Sequence, residues 1–180
     1  MSLPVWCFLL GGLILAEGVS GLVAPQTMTK LFRAFPRNVW AGWILCAIAW
    51  IWSGYAINSM GLDFLVRFRT AISVLSVVCI FLTCWWLDNL LSCRAWGGIL
   101  CLFPYELLHV ARVHMSPWRL VVVSLTYVLI VWGMTLILYP WKMRDFITWT
   151  TATPLRLRTV SVIKVLVGAT VAVLGATVLA

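Results

Sequence analysis

Residues 95–111 read AWGGILCLFPYELLHVA. Whether this segment crosses a bilayer decides the fold, because it sets the direction of every helix after it. A crossing helix needs about 20 mainly apolar residues at about 1.5 Å rise each. The segment is short and contains Pro104, Glu106 and His109. The stretches 4–24, 39–60, 70–87, 119–139 and 159–179 meet the length without such interruptions. Basic residues arbitrate, since they concentrate on the cytoplasmic side. Without 95–111, Arg67, Arg69, Lys142, Arg144, Arg156 and Arg158 fall on one side. Lys30, Arg33, Arg37, Arg94, Arg112 and Arg119 then fall on the other, and no orientation emerges. With 95–111 counted, Lys30, Arg33, Arg37, Arg94, Lys142, Arg144, Arg156 and Arg158 face Arg67, Arg69, Arg112 and Arg119. That bias favours six membrane segments, with 95–111 short or re-entrant and both termini facing away from the cytoplasm.

Composition supports the membrane reading. The chain has 180 residues, 63% of them hydrophobic and only 10% charged, whereas soluble domains carry roughly 25%. Its mean hydropathy is +1.05. Twelve tryptophans suit the membrane–water interface, where indole rings anchor. The net charge of +8 is scattered between apolar runs. It therefore fits phospholipid headgroups and topology rather than nucleic acid. MSLPVWCFLLGG has no basic residue before its apolar run, so it reads as a first span rather than a cleaved signal. The six cysteines contain no C-x-x-C pair and read as small buried hydrophobes.

The connectors repeat: APQTMTKLFRAFPR (24–37), FPYELLHVARVHMSPWR (103–119) and YPWKMRDFITWTTATPLR (139–156). Each opens with a proline that ends one helix and closes with a proline and an arginine that begin the next. In the first, Met28, Leu31, Phe32 and Phe35 alternate with Lys30 and Arg33, the pattern of a short interfacial helix. The expected fold is an all-α integral membrane protein. It is a bundle of five to six transmembrane helices with short amphipathic interfacial connectors and an internal repeat. It forms a single transmembrane domain over 1–180, with repeat-like halves at about 1–60 and 119–180 and residues 61–118 between them.

EGVSGLVAP followed by TKLFRAFPRNVWAGWILCAIAWIWSG resembles the small YjeT-like family of bacterial inner-membrane proteins, a two-helix hairpin of unknown function. The resemblance rests on Glu17, Gly18 and Pro25, on Lys30, Arg33 and Arg37 in the linker, and on Gly42 and Gly54 in the second helix. It covers roughly residues 8–58. Residues 128–175 look like a degenerate second copy, with Tyr139-Pro140 and Arg156, in which Gly133 has no Glu before it. The resemblance implies a bacterial cytoplasmic membrane and no known activity.

Within LAEGVSGLVAP, Glu17 sits inside an apolar run. An acid in hydrocarbon needs a partner. Six segments put Glu17 and Lys164 at similar depths, about 10 and 8 Å from the same face at 1.5 Å per residue. Lys164 begins a row of small residues, Gly168, Ala172, Ala176 and Ala180, and Gly21 lies one turn from Glu17. Small residues let helices approach closely in lipid. The first and last helices are therefore expected to pack, with a Glu17–Lys164 pair between them. The competing reading has Lys164 reaching the interface alone and Glu17 protonated or bonded to Ser20 or to a backbone group.

His109 and His114 lie about 140° apart on a helix and cannot grip one metal together. Asp88 and Arg94 suit an ion pair or a cap at the interface. Ser20, Ser53, Ser73, Ser76 and Ser124 lie in spans without a His–Asp set and suit backbone or interhelical bonds. No catalytic residue, metal site or resident cofactor is expected. Lipid, or a pigment, quinone or haem held between subunits, is left open.

The leading expectation is a non-catalytic integral membrane protein, an accessory or structural subunit of a larger membrane complex. Its partners are membrane lipids and other integral membrane subunits. The alternative is a small oligomeric transporter or channel, for which Gly97-Gly98 and Pro104 would mark a broken helix facing Glu17. A lipid-acting enzyme built on Glu106 and His109 ranks third. The expected location is the bacterial inner membrane, multi-pass, with the mitochondrial inner membrane as the alternative.

Overall fold

The computed structural model describes residues 3–60, 67–86, 90–113 and 116–177, and every regular element in them is helical. The first half contains α1 (Leu3–Val23), α2 (Pro25–Ala34) and α3 (Val39–Ser59). The middle contains α4 (Arg69–Trp86) and α5 (Leu91–Ala111). The last part contains α6 (Arg119–Leu138), α7 (Trp141–Thr150) and α8 (Pro154–Thr177). Helices α1, α3, α4, α6 and α8 are each long and apolar enough to cross a membrane.

The segment around 95–111 is longer than its apolar core suggests, although it is not among the five helices apolar enough to cross a membrane. It is one continuous helix, α5, of 21 residues, which begins at Leu91 and runs through Pro104. Read from the sequence, Pro104 opens the second connector; in the structure it is buried within the helix, which ends at Ala111. Proline removes one backbone donor, yet the helix continues past it, with Pro104 and Leu107 buried, and before the proline it is packed on two sides. On one side, Gly42 of α3 lies against Leu91 and Ser92, and Gly98 lies beside Ala49. On the other, Gly97 and Gly133 of α6 meet so closely that a Cβ on either would come 2.7 Å from the other's carbonyl oxygen. The first register runs parallel and the second antiparallel. Helix α4 runs antiparallel to α3, with the Cys46 and Thr83 side chains 3.0 Å apart and Arg69 donating to the Asn58 carbonyl.

One end of the bundle therefore gathers the turn after α1, the start of α5 and the turn after α6. Ser92 Oγ donates to the Phe35 carbonyl at 3.0 Å, and Arg33 Nε donates to Thr151 Oγ1 at 3.1 Å. The other end holds Leu3, Ala111 and Val122 in one buried cluster with Cys7, Leu10, Leu107 and Val171. All six cysteines are free.

The first and third connectors fold alike. Each long helix stops at a residue before proline, where steric conflict with the ring drives the backbone out of the helical region. Ala24 has φ −130° and ψ 63°, and Tyr139 has φ −126° and ψ 69°. Each amide still closes the last helical turn, Ala24 onto Ser20 and Tyr139 onto Thr135. A 10-residue helix follows in both cases. The next long helix is then capped by a side chain, Asn38 for α3 and Thr153 for α8. The second connector does not share this form, because its first nine residues belong to α5.

Helices α1 and α8 pack antiparallel with their backbones in contact. A Cβ on Gly11 would lie 2.8 Å from the Gly168 carbonyl oxygen, and one on Gly168 would lie 2.8 Å from that of Gly11. Gly18 meets Ser161 and Val165, and Gly175 meets Cys7. Ala172 lies in this seam, but Ala176 is exposed, and Ala180 lies outside the described residues. The row at four-residue spacing thus fails after Ala172. At about 100° per residue, four-residue steps drift by about 40°, whereas seven-residue steps drift by only about 20°. The seam follows the second period, through Gly11 and Gly18 on α1 and Ser161, Gly168 and Gly175 on α8. Gly168→Leu should therefore destabilise the protein by about 2 kcal/mol through overpacking. Ala176→Leu should change stability by less than about 0.5 kcal/mol. Thermal melting followed by tryptophan fluorescence in detergent compares the two, and equal effects would refute this seam.

Candidate functional site

Close approach of α1 and α8 sets the geometry of the charged pair. Lys164 Nζ donates to Glu17 Oε1 at 2.6 Å, the one salt bridge among the described residues. The seam puts Gly18 against Val165, so the neighbouring residues Glu17 and Lys164 meet along its edge. Phe32 of α2 covers the ammonium, which lies 5.6 Å from its ring centroid. A cation over an aromatic face is favoured further where water is scarce. Ser20 does not touch the carboxylate; its hydroxyl donates to the Glu17 backbone carbonyl at 3.0 Å. Gly21 serves the seam rather than the lysine, since a Cβ there would strike Ser161 Oγ.

The pair lies on the outside of the two-helix unit. Side-chain exposure is 42% for Glu17 and 28% for Lys164. Leu13, one turn before Glu17, is 65% exposed, and Ile163 beside Lys164 is 53% exposed. Six residues separate Glu17 from the end of α1, which is about 9 Å along the axis. Helix α5 packs elsewhere on α1, where Trp6 meets Phe103 edge-on at 5.2 Å. The bundle therefore presents a linked acid and base, ringed by apolar side chains, to whatever surrounds it.

The other sequence candidates stay apart. His109 is exposed near the end of α5, with Glu106 half-buried one turn earlier on the same helix. His114 and Asp88 lie outside the described residues. Arg94 is half-buried, and its Nε has no hydrogen-bond partner. Ser73 and Ser76 donate to backbone carbonyls one turn earlier, and Asn58 of α3 bonds Ser73 of α4. Among the described residues, no group of three or more His, Cys, Asp or Glu side chains could hold a metal ion. The sequence marks Phe32 only as part of the interfacial helix, and it does not mark Gly11, Ser161 or Gly175. The seven-residue spacing of Gly11 and Gly18 on α1 and of Ser161, Gly168 and Gly175 on α8 is the signal that could have found these three.

In a double-mutant cycle, Glu17→Gln and Lys164→Gln should each lower thermal stability. Their coupling should be about 0.5–1 kcal/mol, discounted because both groups are partly exposed. The swap Glu17→Lys with Lys164→Glu should recover most of what the single changes lose. Additive losses in the cycle would mean that the contact contributes nothing.

Comparison with protein-family models, with curated proteins and with solved structures finds no match for this chain.

Proposed function

We propose that the chain is a non-catalytic integral membrane protein and an accessory or structural subunit of a larger membrane complex. The observation that carries this reading is the outward-facing Glu17–Lys164 pair. An ion pair turned toward hydrocarbon is costly, so charged groups at membrane depth normally face protein or a water-filled cavity. Covering the pair with a helix of another subunit removes that cost and supplies specificity. Helix α4 adds to the argument, because none of its residues is buried although its 18 residues are mainly apolar. Among them, Val74, Leu75, Phe81, Trp85 and Trp86 are all exposed.

In this reading α5 is a sixth crossing segment, because its packing directions alternate with those of its neighbours. The connectors holding Arg33, Arg37, Lys142 and Arg144 then face the cytoplasm. The likeness to YjeT-like proteins favours a bacterial inner membrane. The transporter alternative called for a broken 95–111 helix facing Glu17. The unbroken α5 and its packing away from the pair count against it.

Two measurements test the reading. Cysteines introduced at positions 30 and 142, on a background lacking the native thiols, should react with an impermeant reagent only from the cytoplasmic side. Cysteines at 67 and 112 should react only from the other side. A mixed pattern would remove α5 from the set of spans. Native mass spectrometry of the protein drawn from its own membranes in mild detergent should show stoichiometric larger partners. A lone monomer or homo-oligomer would contradict the subunit role.

A further inference from the structure

The end of the bundle that carries the connectors holds a second arrangement of charge. Two adjoining hollows, of about 470 and 440 Å³, open between the turn after α2, the start of α5 and α7. Both are lined by Arg37, Leu90 and Arg144, and Arg33 borders the second. These three guanidinium groups come from separate elements, α2, the turn that follows it and α7. All three residues are exposed. Arg33 spends two donors on Thr151, while Arg37 and Arg144 have no ion pair among the described residues. Among the described residues no acid lines either hollow; like charges that share a cleft repel one another, and an anion between them relieves that repulsion.

Three further features suit a phosphate. Leu90 lies at φ 59°, the left-handed region that a bulky side chain rarely enters. This bend starts α5 at the wall of the cleft, so the positive end of a 21-residue helix points toward it. Asn38 adds a polar side chain to the rim. Trp43 and Val39 line the same hollow, an apolar wall beside the charged one, as a glycerol backbone and the first acyl carbons would need.

We propose that this cleft binds a phosphate-bearing anion, with Arg37 and Arg144 as its main ligands and Arg33 at its border. Arginine forks match phosphate oxygens in pairs, and such charge-assisted bonds are the strong ones. The same chemistry is offered by an anionic lipid headgroup and by free phosphate. The lipid source rests on the membrane reading above; the arginine cleft itself does not.

The test uses the full chain in nonionic detergent. Retention of phosphatidylglycerol and of phosphatidylcholine is read by native mass spectrometry, and inorganic phosphate is titrated separately by calorimetry. Arg37→Gln and Arg144→Gln should each weaken phosphatidylglycerol binding about tenfold, the loss expected for one charged hydrogen-bonding partner. Arg158→Gln, outside the cleft, should leave binding unchanged. Because these arginines are exposed, the variants should melt with the wild type, and Arg37→Lys should retain part of the binding. Preference for phosphatidylglycerol with this variant pattern supports a lipid site. Binding of inorganic phosphate with the same pattern, without lipid preference, supports the cleft and assigns it a soluble anion. If Arg158→Gln weakens binding as much as Arg144→Gln does, or neither cleft variant has an effect, the proposal fails. Alkaline extraction of the wild type separates this failure from that of the membrane reading, since only the latter releases the chain from the membrane.

Discussion

Backbone contact between α1 and α8 is the constraint on which the rest depends. Gly11 and Gly168 leave no room for a Cβ on either helix. Without side chains between them, the helices gain dispersion contacts along their length, which is how helices associate where lipid is as apolar as leucine. The same contact draws the first and last helices together across the whole sequence. It also fixes the depth at which Glu17 meets Lys164. A larger residue at Gly11 or Gly168 would move the pair apart as well as loosen the bundle.

A second glycine contact, Gly97 with Gly133, does the same for α5 and α6. The fold thus contains two glycine-packed helix pairs, joined through the cluster of Leu3, Cys7, Leu107 and Val122, with α3 packed on α5 and α4 on α3. The two units of long helix, proline break, short helix and capped helix share local geometry but not neighbours. Helix α5 lies between α3 and α6, so α6 takes α5 as its close partner while α1 takes α8. Similar local sequences give similar turns because proline acts on its immediate neighbour. Pairing is decided by where small residues fall along each helix.

Much of this was legible in the residues, and the failures have physical causes. Apolar length and proline placement located the helices and the matching connectors. The balance of basic residues pointed to six segments, whereas five of the described helices are long and apolar enough to cross a membrane. Pro104 misled, because a proline read alone stops a helix, whereas this one is buried in a helix whose Phe103 and Leu107 pack into the bundle on either side of it in sequence. Ala176 misled because a four-residue row winds off a helix face within a few turns. Glu17 and Lys164 could be matched by depth from opposite ends of the chain. Their exposure could not be read, since it depends on which helices lie beyond α1 and α8. The arginine cleft was also hidden, because Arg37, Leu90 and Arg144 meet only after three connecting segments have folded together.

The proposed partner subunit would cover the Glu17–Lys164 face. Photo-crosslinking in native membranes addresses it directly, with a photoreactive residue replacing Leu13, on the same exposed stripe as Glu17. A discrete protein adduct is expected, one that disappears when Glu17→Gln is combined with Lys164→Gln and that is absent with the probe at buried Val122. Adducts to lipid alone from Leu13, in chain that retains its native melting profile, would contradict it.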